Sequence, residues 1–284
     1  MSTQIETTPL VLNRIFHPSD FSPASEVAFA HALKLALIAR AELRMMHVAA
    51  DADDMHWSDF PGIRATLARW GLIPEDSPKE AVAQLGLDIG KILYPRADPV
   101  DAILGYLDAH PPDLVVLATH QRAGIARWLH RAVAAPVARR ARTMTLFLPQ
   151  DVSGFIALED GAVTLRRILI PMDHVPRPHA AVEAAAGLAL GLGCPEVSFT
   201  LMHVGATGEM PVVHEPRHLE WIWDRKVRRG DIVEQILDVS TATAADLMVL
   251  TTQGHQGFLD ALRGSTAERL LRGVRCPVLA IPAT

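Results

Sequence analysis

Residues 251–271, TTQGHQGFLDALRGSTAERLL, place three glycines and a Ser-Thr pair between an apolar run and a helical pattern. Glycine lets a backbone approach a ligand closely and adopt positive φ. The two hydroxyls would stand at the start of the predicted helix, where free N–H groups favour an anion. This combination is typical of a phosphate-binding loop. The alternative is a tight turn at Gly254 and Gly257 followed by a capping box of Ser265 and Glu268.

Four histidines are further candidates for chemistry, in two pairs. His47 and His203 end corresponding apolar runs, where a histidine packed and hydrogen-bonded beside a sheet is favoured over a catalytic base. His214 and His218 have the i,i+4 spacing that would bring two imidazoles together on a helix for zinc. Pro216 lies between them and no third ligand is evident, so the sequence favours no metal site.

The sequence does not favour an enzyme. The P-loop motif Gly-x4-Gly-Lys-Ser/Thr is absent, and the cation nearest the last glycines is Arg263. The chain has no Gly-x-Ser-x-Gly elbow and no paired carboxylates at a predicted strand end, although Asp173 could help to hold a metal. A binding module is the leading interpretation. Two alternatives stay open: a slow ATPase or nucleotide hydrolase that uses the same pocket, and a scaffold without a ligand.

Length and composition set the outer bounds. The chain has 284 residues and a formal net charge of -5, and is long enough for two domains of about 140 residues. Short basic runs at 138–142 and 225–229 are typical of solvated faces, so nucleic-acid binding is not expected. The two cysteines, Cys194 and Cys276, form no Cys-x-x-Cys motif. We expect a cytoplasmic protein with neither a signal peptide nor a membrane span.

The chain repeats itself. Residues 97–149 align without a gap with residues 230–282. Two upstream motifs also recur, at other shifts. RIFHPSD from residue 14 matches RILIPMD from residue 167, and RMMHV from residue 44 matches TLMHV from residue 200. Two copies of one unit are the simplest explanation, and we predict domains at 10–150 and 163–284.

Each copy alternates short apolar runs with helical patterns. In the first copy these predict a helix over Ala24–Ile38 and strands at Arg14–His17, Leu43–Val48, Leu114–Ala118 and Thr145–Leu148. Such alternation predicts an α/β fold with a mostly parallel sheet covered on both faces. Ligands of such sheets bind at the carboxyl ends of strands where the strand order reverses. In the second copy, a site is therefore expected just after Ile170, Met202 and Leu250.

These features together resemble a tandem universal stress protein. The resemblance rests on the IP-x-D end of the first strand, the HV end of the second, the DL-V-L-T fourth strand and the G-x-x-G…G-S-T…CPVL-IP ending. It implies two doubly wound, Rossmann-like domains, each with a five-stranded parallel sheet and helices on both faces. It also implies an ATP site built from the glycine loop, as in many members of that family.

The resemblance also assigns candidate site residues. Asp173 and the Val204 backbone would lie at the adenine and ribose end, and the glycine loop would hold the phosphates. His255 in that loop could contact a phosphate or point into solvent. The candidate ligand-binding residues are Pro171, Met172, Asp173, Val204, Thr252, Gly254, His255, Gly257, Arg263, Gly264, Ser265 and Thr266.

Both copies depart from the family pattern. Members that bind ATP usually show Gly-x2-Gly-x9-Gly-Ser/Thr, whereas here only Phe258–Arg263 separates Gly257 from Gly264. The first copy retains Gly124 but has lost the other small and hydroxyl residues, which are replaced by Gln121, Arg131, Ala132 and Val133. We therefore predict one competent site, in the second copy. Its ligand would be ATP or another adenine nucleotide, with or without Mg²⁺, in a stress-response or signalling protein.

The duplication also predicts a partner surface. Each copy ends in an apolar strand, within residues 144–149 and 277–282. In single-domain relatives the last strands pair across a dimer, so the two copies are expected to form a pseudo-dimer within the chain. A homodimer of the whole chain would need another surface.

Overall fold

The computed structural model describes residues 7–49, 56–95, 98–119, 143–206, 208–252 and 266–283, without the side chains of 266–268. The chain divides into two compact units. The first unit is Leu12–Val163, and the second unit is Met1–Val11 together with Thr164–Thr284. The predicted domain bounds of 10–150 and 163–284 stay a prediction.

The described part of the first unit contains five strands and four helices. The strands are β1 (Arg14–Pro18), β2 (Glu42–Ala49), β3 (Asp88–Pro95), β4 (Leu114–Thr119) and β5 (Met144–Pro149). The helices are α1 (Pro23–Ala39), α2 (Ile63–Arg69), α3 (Glu80–Gln84) and α4 (Pro99–Ala109), and a 3₁₀ turn covers Trp57–Asp59. Helix α1 begins after Ser22, whose hydroxyl accepts the Ser25 N–H, and ends at Arg40 in the left-handed region (φ 52°).

The described part of the second unit contains five strands and three helices. The strands are β6 (Arg167–Pro171), β7 (Glu196–Val204), β8 (Glu220–Arg228), β9 (Leu247–Thr252) and β10 (Val278–Pro282). The helices are α5 (His179–Gly191), α6 (Ile232–Ala242) and α7 (Thr266–Gly273). None of the described helices is both long and apolar enough to span a membrane.

Both sheets are parallel and have the same strand order. The order is β3-β2-β1-β4-β5 in the first unit and β8-β7-β6-β9-β10 in the second. The predicted α/β class with doubly wound, five-stranded parallel sheets is confirmed. In each unit the chain builds one side of the sheet and then crosses to the other side of its first strand. The order therefore reverses between β1 and β4, and between β6 and β9.

Two pairs of aligned aspartates account for part of the sequence repeat. Asp98 and Asp231 cap α4 and α6, and each accepts two backbone N–H groups at 2.9–3.3 Å. Asp113 and Asp246 precede β4 and β9 and accept N–H groups at the starts of β1 and β6, at 2.7–3.0 Å. These carboxylates hold the fold, so their recurrence reflects structure rather than chemistry.

The segment after β5 packs within the first unit. The Trp70 indole N–H donates to the Leu158 carbonyl at 3.2 Å. Gly161 has a φ of 67°, and a Cβ there would come within 2.5 Å of the Trp70 ring. Glycine is therefore required at this position both by the backbone conformation and by the adjacent ring.

Candidate functional site

The strands at the reversal point of the second unit separate toward their carboxyl ends. β6 pairs with β7 along all five of its residues. It pairs with β9 only at Ile168 with Leu247 and at Leu169 with Met248. The carboxyl ends of β6 and β9 therefore border a crevice, which is the place where doubly wound sheets bind ligands.

Pro171, Met172 and Asp173 lie at the end of β6, as predicted from the sequence. The Met172 N–H donates to the Met202 carbonyl at 2.7 Å, and the Met172 side chain is buried. Asp173 is exposed, and one carboxylate oxygen accepts the His174 N–H at 2.7 Å. An exposed carboxylate at this position can accept hydrogen bonds from a ligand hydroxyl.

The end of β7 presents bare backbone. Val204 is half-buried, and the N–H of the next residue, Gly205, donates to the Arg228 carbonyl at 2.9 Å. A Cβ at Gly205 would overlap the His203 imidazole, so a side chain does not fit there. Gly205 was not among the predicted site residues. The feature of the sequence that could have identified Gly205 is a glycine directly after a predicted strand, at a position where the first copy has Ala49.

His203 and His47 have the same structural role in the two units. Nδ1 of His203 donates to the Met172 carbonyl at 3.0 Å, and Nδ1 of His47 donates to the Ser19 carbonyl at 2.8 Å. Each histidine ties the end of the second strand to the residue following the first strand. The interpretation as packed, hydrogen-bonded histidines is confirmed by these contacts.

His174 links the loops that follow β6 and β7. Its Nε2–H donates to the Glu209 carbonyl at 2.7 Å, and its ring lies edge-on to His203 with centroids 6.1 Å apart. This contact fixes the loop after β7 beside Asp173. Sequence reasoning missed His174, because the aligned residue of the first copy is Phe21 and no motif marks the position.

The two threonines that end β9 have different environments. The Thr252 hydroxyl donates to the Ile281 carbonyl at 3.3 Å and so joins β9 to β10. The Thr251 hydroxyl is buried and has no hydrogen-bond partner among the residues that the structure describes. An unpaired buried hydroxyl costs about 1–3 kcal/mol, which a polar ligand in the crevice would offset. Thr251 was also missed, although the first copy has Ala118 at the aligned position.

Most of the glycine loop lies outside the described residues. This holds for Gly254, His255, Gly257, Arg263, Gly264 and Ser265, and for the side chain of Thr266, so their roles stay predictions. The helix that follows is anchored, because the Arg269 guanidinium on α7 donates to both Asp231 carboxylate oxygens at 3.0 and 3.1 Å. The corresponding loop of the first copy, residues 120–142, is likewise outside the described residues.

Aromatic rings occupy the same strand ends in the first unit. Phe21, in the left-handed region with a φ of 59°, stacks on His47 with ring centroids 4.0 Å apart. Phe60 meets Phe21 edge-on at 5.1 Å. The second unit has His174 at the position of Phe21. At this position the first unit is thus more apolar than the second.

A histidine bridges the separated strands of the first unit. β1 and β4 are also paired over only two residue pairs. Beyond them, Nδ1–H of His17 donates to the Val116 carbonyl at 2.9 Å, and its Nε2 is buried with no partner in the described part of the chain. Burial lowers the pKa of His17 to about 4, so the imidazole is neutral. The second unit has Ile170 at this position, which cannot form the bridge.

The remaining histidine pair lies on no helix. His214 and His218 are both exposed in the loop before β8, and the His218 ring stacks on Trp221 with centroids 4.6 Å apart. Within the described residues, no group of three His, Cys, Asp or Glu side chains could hold a metal ion.

Comparisons with known proteins agree with this geometry. A universal stress protein family model matches residues 12–149 and 222–282. None of the curated proteins compared with the chain matches it. A universal stress protein from Archaeoglobus fulgidus DSM 4304 has a TM-score of 0.62 at 16% identity, with 95% of this chain and 96% of that chain covered.

Two further solved structures are similar to this chain. A functionally unknown protein from Pseudomonas aeruginosa PAO1 has a TM-score of 0.57 at 11% identity, with 96% of this chain and 93% of that chain covered. A universal stress protein in complex with cAMP covers 49% of this chain, with 98% of its own chain covered, at 22% identity and a TM-score of 0.33. At these identities the likeness is one of fold.

Proposed function

Because the chain belongs to the universal stress protein family, whose model matches more than half of its residues, we propose that it is a stress-response or signalling module that binds an adenine nucleotide. The competent site lies in the second unit, in the crevice between β6 and β9. ATP, ADP and AMP are the candidate ligands. The shortened spacer between Gly257 and Gly264 is the reason for including nucleotides with fewer phosphates.

The unpartnered Thr251 hydroxyl is the observation that most supports a polar ligand at this place. It lies at the end of β9, immediately before the glycine-rich segment. The first copy has an alanine at the aligned position, although its own Thr119, aligned with Thr252, also has a buried hydroxyl without a partner among the described residues. The hydroxyl, the exposed Asp173 carboxylate and the bare backbone at Gly205 are all at carboxyl ends of strands around one crevice. A nucleotide offers hydroxyls, ring nitrogens and phosphates to such a set.

Each group would have a separate part in binding. The Asp173 carboxylate would accept hydrogen bonds from ribose hydroxyls, and the backbone at Val204 would contact the base. Gly264, Ser265 and Thr266 would hold the phosphates at the start of α7. Mg²⁺ would enter with the phosphates, whose oxygens are ligands that it prefers.

Two further parts of the proposal rest on sequence alone. The protein acts in the cytoplasm, and the two domains form a pseudo-dimer through their last strands. A homodimer through another surface is the alternative.

Calorimetric titration of the full-length protein with AMP, ADP and ATP tests the proposed function. We expect Asp173→Asn to weaken binding about tenfold, because a neutral amide oxygen accepts a hydrogen bond from a ribose hydroxyl more weakly than a carboxylate does. Asp20→Asn is the matched control at the aligned position, where the amide oxygen can still accept the Ser22 N–H. Unchanged affinity in Asp173→Asn would contradict the proposed site. Magnesium-dependent phosphate release that Asp173→Ala abolishes would favour the slow hydrolase instead.

A further inference from the structure

A groove lies beside the edge strand β3 of the first unit. Its volume is about 880 Å³, within the range of small-molecule sites. One side is formed by Leu87, directly before β3, and by Asp88, Ile89 and Lys91 of that strand. The other side comes from the first turn of α2 and from α3, including Ile63 and Val82.

Lys91 places a positive charge in this groove beside the apolar side chains of Ile63, Val82 and Ile89. The residue is half-buried, and its ammonium lies 5.4 Å from the centroid of the Phe60 ring. Burial lowers the pKa of Lys91, and no carboxylate among the described residues opposes that effect. A half-buried ammonium with no carboxylate partner in the described part of the chain is partly desolvated, so it attracts an anion.

The neighbouring carboxylates do not neutralise Lys91. Asp88 is engaged elsewhere, because Arg44 donates to both of its carboxylate oxygens at 3.0 and 3.2 Å. Glu75 and Asp76 line the groove but are exposed to solvent. Their charge is therefore well hydrated and weakly felt at Lys91.

Two further cations line the groove. Arg64 lies in the first turn of α2, where its guanidinium donates to the Ser77 carbonyl at 2.9 Å, and Lys79 precedes α3. The lining thus carries three cations and three acids, so it has no net charge. Arg64 and Lys79 are as exposed as Glu75 and Asp76, so Lys91 is the half-buried charge of the lining, and a ligand with one negative charge would pair with it.

We propose that this groove binds a small organic carboxylate with an apolar body. The carboxylate pairs with Lys91, and the hydrocarbon packs against Ile63, Val82 and Ile89. The site belongs to the longer segment that only the first copy carries between its second and third strands. It shares no residue with the proposed nucleotide crevice, so either site can exist without the other.

A matched set of probes tests the proposal on the full-length protein. Octanoate and benzoate are titrated by calorimetry beside their uncharged amides and beside acetate. We expect one octanoate per chain, with acetate and octanamide at least about tenfold weaker, because each lacks one of the two recognised features. Equal binding of octanoate and octanamide would overturn the proposal, as would equal binding of acetate or no binding by either acid.

Lysine variants locate the site. Lys91→Met keeps an apolar stem without the charge and is expected to weaken octanoate binding about tenfold or more, while Lys91→Arg retains it. Lys34→Met is the control, because Lys34 is another half-buried lysine of the first unit, 5.7 Å from the Trp70 ring centroid, and does not line the groove. Equal losses in Lys34→Met and Lys91→Met would overturn the assignment. The nucleotide affinity of Lys91→Met is expected to equal that of wild type. Titrating this variant with nucleotide therefore distinguishes a failure of the carboxylate site from a failure of the proposed function.

Discussion

The imidazole Nε2 of His31 accepts the backbone N–H of Phe155 at 3.0 Å, across 124 residues of chain. The same atom accepts the Ile156 N–H at 3.2 Å, and Nδ1–H donates to the Val27 carbonyl at 2.8 Å. His31 is fully buried and must be neutral to accept these bonds. One side chain of α1 thus holds the segment that follows β5.

Replacing His31 is expected to loosen that segment. His31→Leu leaves two buried N–H groups unpaired, so the free energy of unfolding should fall by about 3 kcal/mol. Hydrogen exchange of the Phe155 and Ile156 amides should accelerate. His110→Leu is the control, because His110 makes the same bond to a carbonyl four residues earlier but is exposed. Wild-type exchange rates in His31→Leu would contradict the anchoring role.

Acid should destabilise the protein through its buried histidines. Burial lowers the pKa of both His17 and His31 to about 4, whereas the unfolded chain titrates near 6.5. Above pH 6.5 both states are neutral and the stability is fully present. Between pH 6.5 and 4 the unfolded state binds more protons, so stability falls, by about 3 kcal/mol for each histidine.

Urea unfolding at several pH values between 7 and 4.5 measures this effect. His17→Ile, which introduces the residue of the aligned position 170, should reduce the loss of stability across that range relative to wild type. An unchanged loss of stability on acidification would show that His17 does not titrate as its burial implies.

Two glycines with nearly the same backbone conformation should respond differently to alanine. Gly161 and Gly71 have φ values of 67° and 71°, but only the first has a neighbour, the Trp70 ring, where a Cβ would go. Gly71→Ala should cost about 1–2 kcal/mol from backbone strain alone. Gly161→Ala should cost more, because the indole must also move. Urea unfolding of both variants checks this, and equal costs would mean that the ring gives way freely.

The two cysteines should be inert in the native protein. Cys194 and Cys276 are buried, and burial raises the pKa of each thiol to about 11. Since the thiolate is the reactive form, a disulfide reagent such as DTNB at pH 8 should react slowly until urea unfolds the chain. Two thiols should then react. Rapid native labelling would show that either site opens more readily than its burial indicates.

The sequence was most informative where burial dictates residue type. The strand predicted at Leu114–Ala118 is β4 (Leu114–Thr119), and the helix predicted at Ala24–Ile38 is α1 (Pro23–Ala39). Both were predictable because other elements cover them, which requires an apolar sequence pattern. The edge strand β3 carries a mixed, half-buried pattern and has no such signal. Its counterpart β8 also lies at an edge, and there Trp221 is buried while Ile222 is exposed, as alternation predicts.

The site was less accessible to sequence reasoning, because its details depend on contacts between distant residues. Asp173 was predicted from its strand end, but the role of His174 requires the Glu209 carbonyl, which lies 35 residues away. The unpaired state of Thr251 also depends on what surrounds it in three dimensions. A comparison of the two copies would have flagged both, since each differs from its aligned residue, Phe21 or Ala118.

The most direct test of the account is the number of nucleotides bound by the intact chain. Calorimetry should give one adenine nucleotide per chain. Converting the second loop to the residues of the first, by Gly264→Arg, Ser265→Ala and Thr266→Val together, should abolish binding, while Gly124→Ala in the first copy should leave it intact. Two sites per chain, or retained binding in the triple variant, would contradict a single competent site in the second unit.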